Sequence, residues 1–238
     1  MTARRPAAPV RTPGPAPLRA HKVRIIGGQW KRTPLPVPDL DGLRPSPDRV
    51  RETLFNWIGP SIAGQRVLDL FAGSGALGLE ALSRGAAAAL MVERDRRACA
   101  GIRSVVARLK ATQAQLVEGD ALASLDACAR RGERFTLVFL DPPFRQEWLA
   151  RVLPGLARVL APRARLYVES ERDVTADEIA QGLRAGGLPT GAVQLVRADR
   201  AGQVHYHLFD IDGAGAGAPP PSSSTSSTPS TSSGSATP

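Results

Sequence analysis

The sequence is poor in cysteine and in aromatic residues, and it has no long apolar run. Its two cysteines, Cys99 and Cys128, lie far apart and form no CxxC pair or Cys/His cluster. A disulfide framework and a structural zinc site therefore lack ligands, so we expect no metal and two small buried thiols. No stretch approaches the roughly 20 apolar residues that a membrane-spanning helix needs.

The N-terminus lacks the continuous apolar segment of a signal peptide, although residues 1–20 carry several arginines. We therefore expect a cytoplasmic protein with no membrane partner, and we expect a monomer. Lysine and arginine number 31 against 22 acidic residues, which gives a formal charge of +9. This excess favours a polyanionic partner, of which nucleic acid is the commonest.

Both ends of the chain have low complexity. Residues 1–20 are rich in Pro, Ala and Arg and are predicted to form a disordered basic arm. Residues 213–238 carry neither charge nor a large apolar side chain, so we predict a disordered tail. One folded domain is expected over residues 21–212, since 42% of the chain is hydrophobic.

Inside this domain, short apolar runs alternate with segments of helical period, which is typical of a parallel sheet covered on both faces. Strands are predicted at Arg66–Leu70, Ala87–Val92, Gln115–Val117, Phe135–Leu140, Arg165–Glu169, Gly191–Arg197 and Gln203–Phe209. Helices are predicted near Ala76–Ser83, Arg96–Lys110, Leu122–Arg130, Glu147–Leu160 and Ala176–Ala185. Five right-handed strand–helix units and a closing hairpin, with its loop at Ala198–Gly202, predict an α/β, Rossmann-like, seven-stranded methyltransferase sheet.

An extension precedes this sheet. Segments Lys22–Gly27 and Gln29–Val37 are predicted to pair as a β-hairpin that turns at Gly27-Gly28. A helix through Ile58 follows, with Ser46 as its N-cap and Pro47 at its first position.

A glycine-rich turn follows the first strand of the sheet, at Asp69–Gly75. Glycines there let backbone amides approach a ligand closely, at the sheet edge where ligands bind. Asp69 can accept from a ligand's ammonium group or hold the turn. Because Gly73–Gly78 also matches GxGxxG and Glu93 lies about 20 residues further on, a nicotinamide-dependent dehydrogenase remains an alternative from this motif alone.

The segment Asp141-Pro142-Pro143-Phe144 ends a fully apolar strand. Two prolines fix the backbone and remove two amide donors, so the segment presents hydrogen-bond acceptors. An exocyclic amine needs such acceptors: the Asp141 carboxylate and the Pro142 carbonyl can take its hydrogens, and Phe144 can stack on a flat base. Methyl transfer to that amine is then catalysed mainly by orientation.

Two more carboxylates follow predicted strands. Glu93 is predicted to bind ribose hydroxyls of a cofactor, with a solvated or cap-neighbouring carboxylate as the alternative. Asp120 is predicted to accept from an adenine amine, to cap the next helix, or to do both.

Five segments in order resemble the RsmD family, whose members methylate the N2 amine of a guanine in 16S ribosomal RNA (rRNA) of the small subunit. They are Arg24–Trp30, Leu43–Trp57, Asp69–Ala81, Asp141–Phe144 and Ala201–Val204, and the likeness spans essentially residues 22–210. The resemblance implies S-adenosylmethionine as cofactor and, as partner, 16S rRNA in the small ribosomal subunit or its assembly intermediate.

The resemblance also assigns residues to roles. The cofactor-binding set is Asp69, Phe71, Ala72, Gly73, Ser74, Gly75, Glu93, Arg94, Asp120 and Ala121. The catalytic set is Asp141, Pro142, Pro143 and Phe144.

A basic cluster in residues 21–60 is predicted to dock RNA through its phosphates: Arg24, Lys31, Arg32, Arg44, Arg49 and Arg51. Trp30 and Tyr206 can stack on bases or belong to the core. Three alternatives remain from the sequence. The first is a DNA adenine-N6 methyltransferase that holds its amine with the same clamp, the Asp141–Phe144 segment. The others are an NAD-dependent dehydrogenase and a non-catalytic RNA-binding assembly factor.

Overall fold

The computed structural model describes residues 23–37, 47–144, 147–189 and 192–213. The predicted arm at 1–20 and all but the first residue of the predicted tail lie outside the described residues, as do Lys22, Arg44, Ser46 and Gly191. The strands are β1 (Val23–Arg24), β2 (Pro34–Leu35), β3 (Arg66–Asp69), β4 (Ala88–Glu93), β5 (Ala114–Glu118), β6 (Phe135–Leu140), β7 (Leu160–Ser170), β8 (Ala192–Ala201) and β9 (Val204–Asp212). The helices are α1 (Asp48–Ile58), α2 (Ala76–Ser83), α3 (Arg96–Leu109), α4 (Ala121–Arg130), α5 (Trp148–Ala157) and α6 (Ala176–Ala185), with a 3₁₀ turn at Gly59–Ile62.

A seven-stranded sheet has the order β5-β4-β3-β6-β7-β9-β8. The pairs from β5 to β7 are parallel, whereas β9 runs antiparallel to both β7 and β8. This confirms the predicted Rossmann-like methyltransferase sheet. The order reverses next to β3, so the carboxyl ends of β3, β4 and β6 open onto one crevice, where ligands of such sheets bind.

Helices cover both faces of the sheet. Apolar side chains of α4, α5 and α6 form one core with the strands. On the other face, α1 and α2 pack on β3, β6, β7 and β9, and α3 packs with α2 and the N-terminal strands. Cys99 and Cys128 are buried free thiols, as the sequence predicted, and Cys128 packs in the first of these cores.

Several boundaries differ from the prediction; β7, for example, begins at Leu160, five residues before the predicted Arg165. Helix α5 ends at Ala157 rather than Leu160, because the Val159 carbonyl accepts the Phe135 N–H and Leu160, the first residue of β7, pairs with Phe135 of β6. The closing hairpin turns at Gly202-Gln203, where Gly202 has φ +64°, so its strands are longer than predicted. Gly213, assigned to the tail, donates its N–H to the Pro162 carbonyl at 2.7 Å.

The N-terminal hairpin also turns later than predicted. Beyond β1 and β2, Ile25 pairs with Thr33 and Arg32, and the reversal lies between Gly28 and Lys31. Gly28 has φ +73°, and a Cβ on it would lie 1.8 Å from the Ser83 carbonyl oxygen, so only glycine fits there. Pro47 rather than Ser46 is the N-cap of α1, so the helix begins at Asp48, one residue later than expected.

The buried carboxylate of Glu80 on α2 joins this hairpin to the sheet. Its oxygens accept the N–H groups of Ile26 and Gly27 at 2.6 and 2.8 Å and the Arg84 guanidinium at 2.6 Å. The Arg51 guanidinium lies 4.0 Å from the Glu80 carboxylate. It also donates to the Arg24 carbonyl and pairs with Asp48. Because Arg51 is 1% exposed, its predicted phosphate contact is wrong: this guanidinium is a buried structural group.

Replacing Glu80 with Gln should destabilise the protein by about 3 kcal/mol, because breaking a buried ion network leaves charged and amide donors unsatisfied. Urea unfolding measures the change. Glu52→Gln, at an exposed position of α1, is the matched control and should change stability by less than about 0.5 kcal/mol. Equal stabilities for the two variants would show that the network does not anchor the extension.

Candidate active site

The glycine turn after β3 has the conformation that a ligand cradle requires. Gly73 and Gly75 have φ of +54° and +76°, and Gly75 caps the N-terminus of α2. A Cβ on Gly75 would lie 3.2 Å from both Ile102 and Leu79. Glycine therefore lets the backbone of this turn lie close to α2 and α3. The amides of the turn are then at the carboxyl edge of the sheet.

Neighbouring strands fix the same turn. Leu70 donates its N–H to the Phe139 carbonyl, and Ala72 donates to the Val92 carbonyl. Phe71 packs edge-on against Trp148 of α5, with ring centroids 5.2 Å apart. Ala72 and Ser74 are buried, so backbone and shape, rather than exposed side chains, form this part of the site.

Asp69 holds the turn from beneath. It is 2% exposed, and its Oδ2 accepts the Gly78 N–H at 2.9 Å. Burial raises the pKa of Asp69 to about 7; the nearby Glu93 adds to the rise, and the Gly78 hydrogen bond opposes it. Of the two roles left open by the sequence, this geometry favours holding the turn.

Glu93, at the end of β4, bonds directly to the turn. Its Oε2 accepts the Gly73 N–H at 2.7 Å, and its Oε1 accepts the Asp95 N–H at 2.8 Å. Each carboxylate oxygen can accept more than one hydrogen, so Glu93 can also receive ribose hydroxyls. Arg94 beside it is exposed.

Asp95 and Asp120 are helix caps. Asp120 accepts the N–H groups of Leu122 and Ala123 at the start of α4, and it is exposed at the edge beyond β5, while Ala121 is buried. The capping role of Asp120 is thus observed, and the exposure of its side chain leaves room for a ligand amine.

Sequence reasoning missed Asp95, which caps α3. The pKa of Asp95 is lowered chiefly by the hydrogen bond from the Ala98 N–H. An acidic residue just before a helical run is the sequence signal for such a cap.

The Asp-Pro-Pro-Phe segment leaves β6 next to this turn. β6 pairs with β3 through Asp69 and Phe139, so residues 141–144 continue along the same edge. Asp141, Pro142 and Pro143 are half-buried, whereas Phe144 is 42% exposed. The exposed ring is accessible to a flat base.

A second carboxylate at this edge was missed. Glu169, near the end of β7, is 4% exposed, and its Oε1 accepts the Tyr167 hydroxyl at 2.9 Å. Burial, then the charges of Glu169 and Asp141, raise the pKa of Tyr167 well above its ordinary value. The signal was an acidic residue that ends an apolar strand, the pattern that drew attention to Glu93 and Asp141.

The structure separates the residues predicted to contact RNA. Lys31, Arg32 and Arg49 are exposed, and Arg24 is exposed but paired with Asp48 at 3.2 Å. Tyr206 is buried, stacks on Trp57 and donates to Asp199, so it is a core residue rather than a stacking platform. Trp30 is half-buried and packs against two cores.

Within the described residues, no helix is long and apolar enough to cross a membrane. The same part of the chain holds no group of three or more His, Cys, Asp or Glu side chains arranged to bind a metal.

Comparison with known proteins agrees with this geometry. The family model for conserved hypothetical protein 95 matches residues 23–210. Ribosomal RNA small subunit methyltransferase D of Escherichia coli K12 is 46% identical over 192 residues, which cover 79% of this chain and 89% of that protein. The solved structure of the Escherichia coli protein yhhF is 44% identical, with a TM-score of 0.66, and the match covers 81% of this chain and 99% of that one.

A more distant structure shares only the fold. It was solved in complex with SAH, is 16% identical, and has a TM-score of 0.58 over 71% of this chain and 50% of its own. The strand order and these matches define a Rossmann-like class I methyltransferase fold. Within that class, the chain belongs to the RsmD family, which the model for conserved hypothetical protein 95 describes.

The raised pKa of Asp69 predicts a dependence of stability on pH. The unfolded carboxyl loses its proton near pH 3.8, whereas the folded one keeps it until about pH 7. Between these values the folded state binds more protons, so stability falls as pH rises, and the penalty remains in full above pH 7.

Asp69→Asn should remove this penalty and still accept the Gly78 N–H. Relative to wild type, the variant should gain about 2 kcal/mol in unfolding free energy between pH 5 and pH 8. Urea unfolding at both pH values, without cofactor, measures the gain. A difference that does not change with pH would contradict the buried, proton-retaining state of Asp69.

Proposed function

We propose that this protein transfers a methyl group from S-adenosylmethionine to the exocyclic N2 amine of a guanine in 16S rRNA of the small ribosomal subunit. The observation that carries the proposal is the Asp141–Phe144 segment at the end of β6, beside the glycine turn after β3. The relative named ribosomal RNA small subunit methyltransferase D, at 46% identity, supports the RNA substrate.

The cofactor residues fit their assigned group. The turn at Gly73–Gly75 lies close to α2 and α3, where a Cβ on Gly75 would meet Ile102 and Leu79, and Glu93 provides acceptors for ribose hydroxyls. Asp120, exposed beyond β5, offers an acceptor for an adenine amine, which supports its proposed role. S-adenosylmethionine supplies a methyl group already activated on a sulfonium, so the protein's contribution is to place the acceptor nitrogen.

The clamp orients that nitrogen. The Asp141 carboxylate and the Pro142 carbonyl accept the two hydrogens of the amine, which aims its lone pair out of the base plane, and Phe144 stacks on the base. As the new N–C bond forms, the S–CH₃ bond breaks and its electron pair stays on sulfur. The surplus proton on nitrogen passes to the Asp141 carboxylate, which already accepts a hydrogen of the amine, and then to water.

The other functions receive less support. A DNA adenine-N6 methyltransferase uses the same clamp, but the ribosomal RNA relative favours RNA. A dehydrogenase has no use for an amine clamp, and an assembly factor without catalytic activity would not need a cofactor turn. Purified protein, small-subunit particles and labelled S-adenosylmethionine test the reaction: nucleoside mass spectrometry should detect N2-methylguanosine and locate it.

Asp141→Ala should lower the single-turnover rate by at least about 100-fold, because one of the two acceptors and the proton acceptor are lost. Calorimetry should show nearly unchanged affinity for S-adenosylmethionine. Asp126→Ala, at an exposed position of α4, is the matched control and should retain the wild-type rate. A near-normal rate for Asp141→Ala would refute the clamp.

We also propose that exposed basic groups of the N-terminal extension dock the RNA. Replacing Lys31, Arg32 and Arg49 with Gln should weaken RNA binding and flatten the slope of log K against log salt by roughly 0.7 to 0.9 per lost contact. The control replaces three exposed arginines elsewhere, Arg130, Arg134 and Arg184. Parallel salt lines for wild type and the first variant would show that the extension does not touch the phosphates.

A further inference from the structure

The end of β7 brings a second carboxylate next to the clamp. Leu140 of β6 and Val168 of β7 are aligned partners, so the chain positions that follow, 141 and 169, lie side by side at the carboxyl edge. Adjacent strands are about 4.8 Å apart, close enough for two side chains to contact one base.

Both positions belong to the face of the sheet that α1 covers. Tyr167 and Phe139 pack in the same core as Phe55 of α1, and side chains alternate along a strand, so positions 169 and 141 share that face. Tyr206, the cross-strand partner of Glu169, packs in that core as well. The charges of both carboxylates act on the Tyr167 hydroxyl, which is consistent with their proximity.

A buried carboxylate is costly unless donors stabilise it. Tyr167 is one such donor, to Oε1 of Glu169. The proposed methyl transfer uses the acceptors of Asp141 and Pro142 and assigns no role to Glu169. On guanine, the N1–H donor lies next to the N2 amine on the same edge of the base. A further acceptor beside Asp141 can therefore bind N1–H. In adenine and cytosine, the ring nitrogen next to the amine is itself an acceptor and would be repelled by a carboxylate.

We infer that Glu169 selects guanine by accepting its N1–H while Asp141 and Pro142 hold the N2 amine. This inference rests on the proposed function and adds to it the residue that determines which base is methylated.

The test combines a change of the target base in the RNA with a change of the Glu169 side chain. After the modified guanosine has been located, an RNA segment containing it is synthesised with either guanosine or 2-aminopurine at that position. 2-Aminopurine keeps the amine at position 2 but has an acceptor at N1. Glu169→Gln replaces one carboxylate oxygen with a donor of similar size, and Tyr167→Phe, which removes only the hydroxyl, is the matched control.

Wild type should methylate the guanosine RNA faster in single turnover. Glu169→Gln should reduce the ratio of guanosine to 2-aminopurine rates by about 10- to 100-fold, the usual effect of losing a hydrogen bond to a charged group. Tyr167→Phe should change the two rates by similar factors and keep the ratio. Thermal melting and calorimetry with S-adenosylmethionine establish that each variant is folded.

Two results would overturn the inference. Equal losses on both RNAs in a folded Glu169→Gln protein would assign Glu169 to structure alone. Equal rates of wild type on the two RNAs would exclude an acceptor for N1–H, whether or not the variant folds. If wild type methylates no guanosine in small-subunit particles, the proposed function itself fails, which is a separate outcome.

Discussion

The buried carboxylate of Glu80 is the interaction on which the arrangement of the domain depends. It lies on α2, whose first residue follows the glycine turn, and it accepts two backbone amides of the N-terminal hairpin. Arg84 and the buried Arg51 compensate its charge. One helix thus begins at the candidate cofactor cradle and anchors the extension proposed to dock RNA, so the two regions keep a fixed relation.

At the carboxyl edge of the sheet, two groups of strands contribute different sets of functional residues. The ends of β3, β4 and β5 provide the glycine turn, Glu93 and Asp120, a set suited to a nucleoside cofactor. The ends of β6 and β7 provide the Asp141–Phe144 segment and Glu169, a set rich in acceptors. Because β3 and β6 are adjacent, the turn and the acceptor segment meet, which a transfer between cofactor and base requires.

The sequence predicted the sheet and the position of the main motifs, because apolar runs, glycines and prolines act locally. It could not predict what depends on tertiary contacts. Arg51 looked like a surface cation, but pairing with Asp48 and proximity to Glu80 make it a buried one. Tyr206 was left open until packing on Trp57 placed it in the core. Glu169 was missed because its position beside Asp141 follows from strand order and register.

We propose that Asp141 aims the N2 amine of a guanine in small-subunit rRNA at the cofactor methyl. The most direct measurement is nucleoside mass spectrometry of that rRNA from a strain lacking this gene, complemented with wild type or with Asp141→Ala. One N2-methylguanosine should be absent in the deletion strain, restored by wild type and not restored by the variant. Full restoration by Asp141→Ala, or an unchanged set of methylated guanosines in the deletion strain, would contradict it.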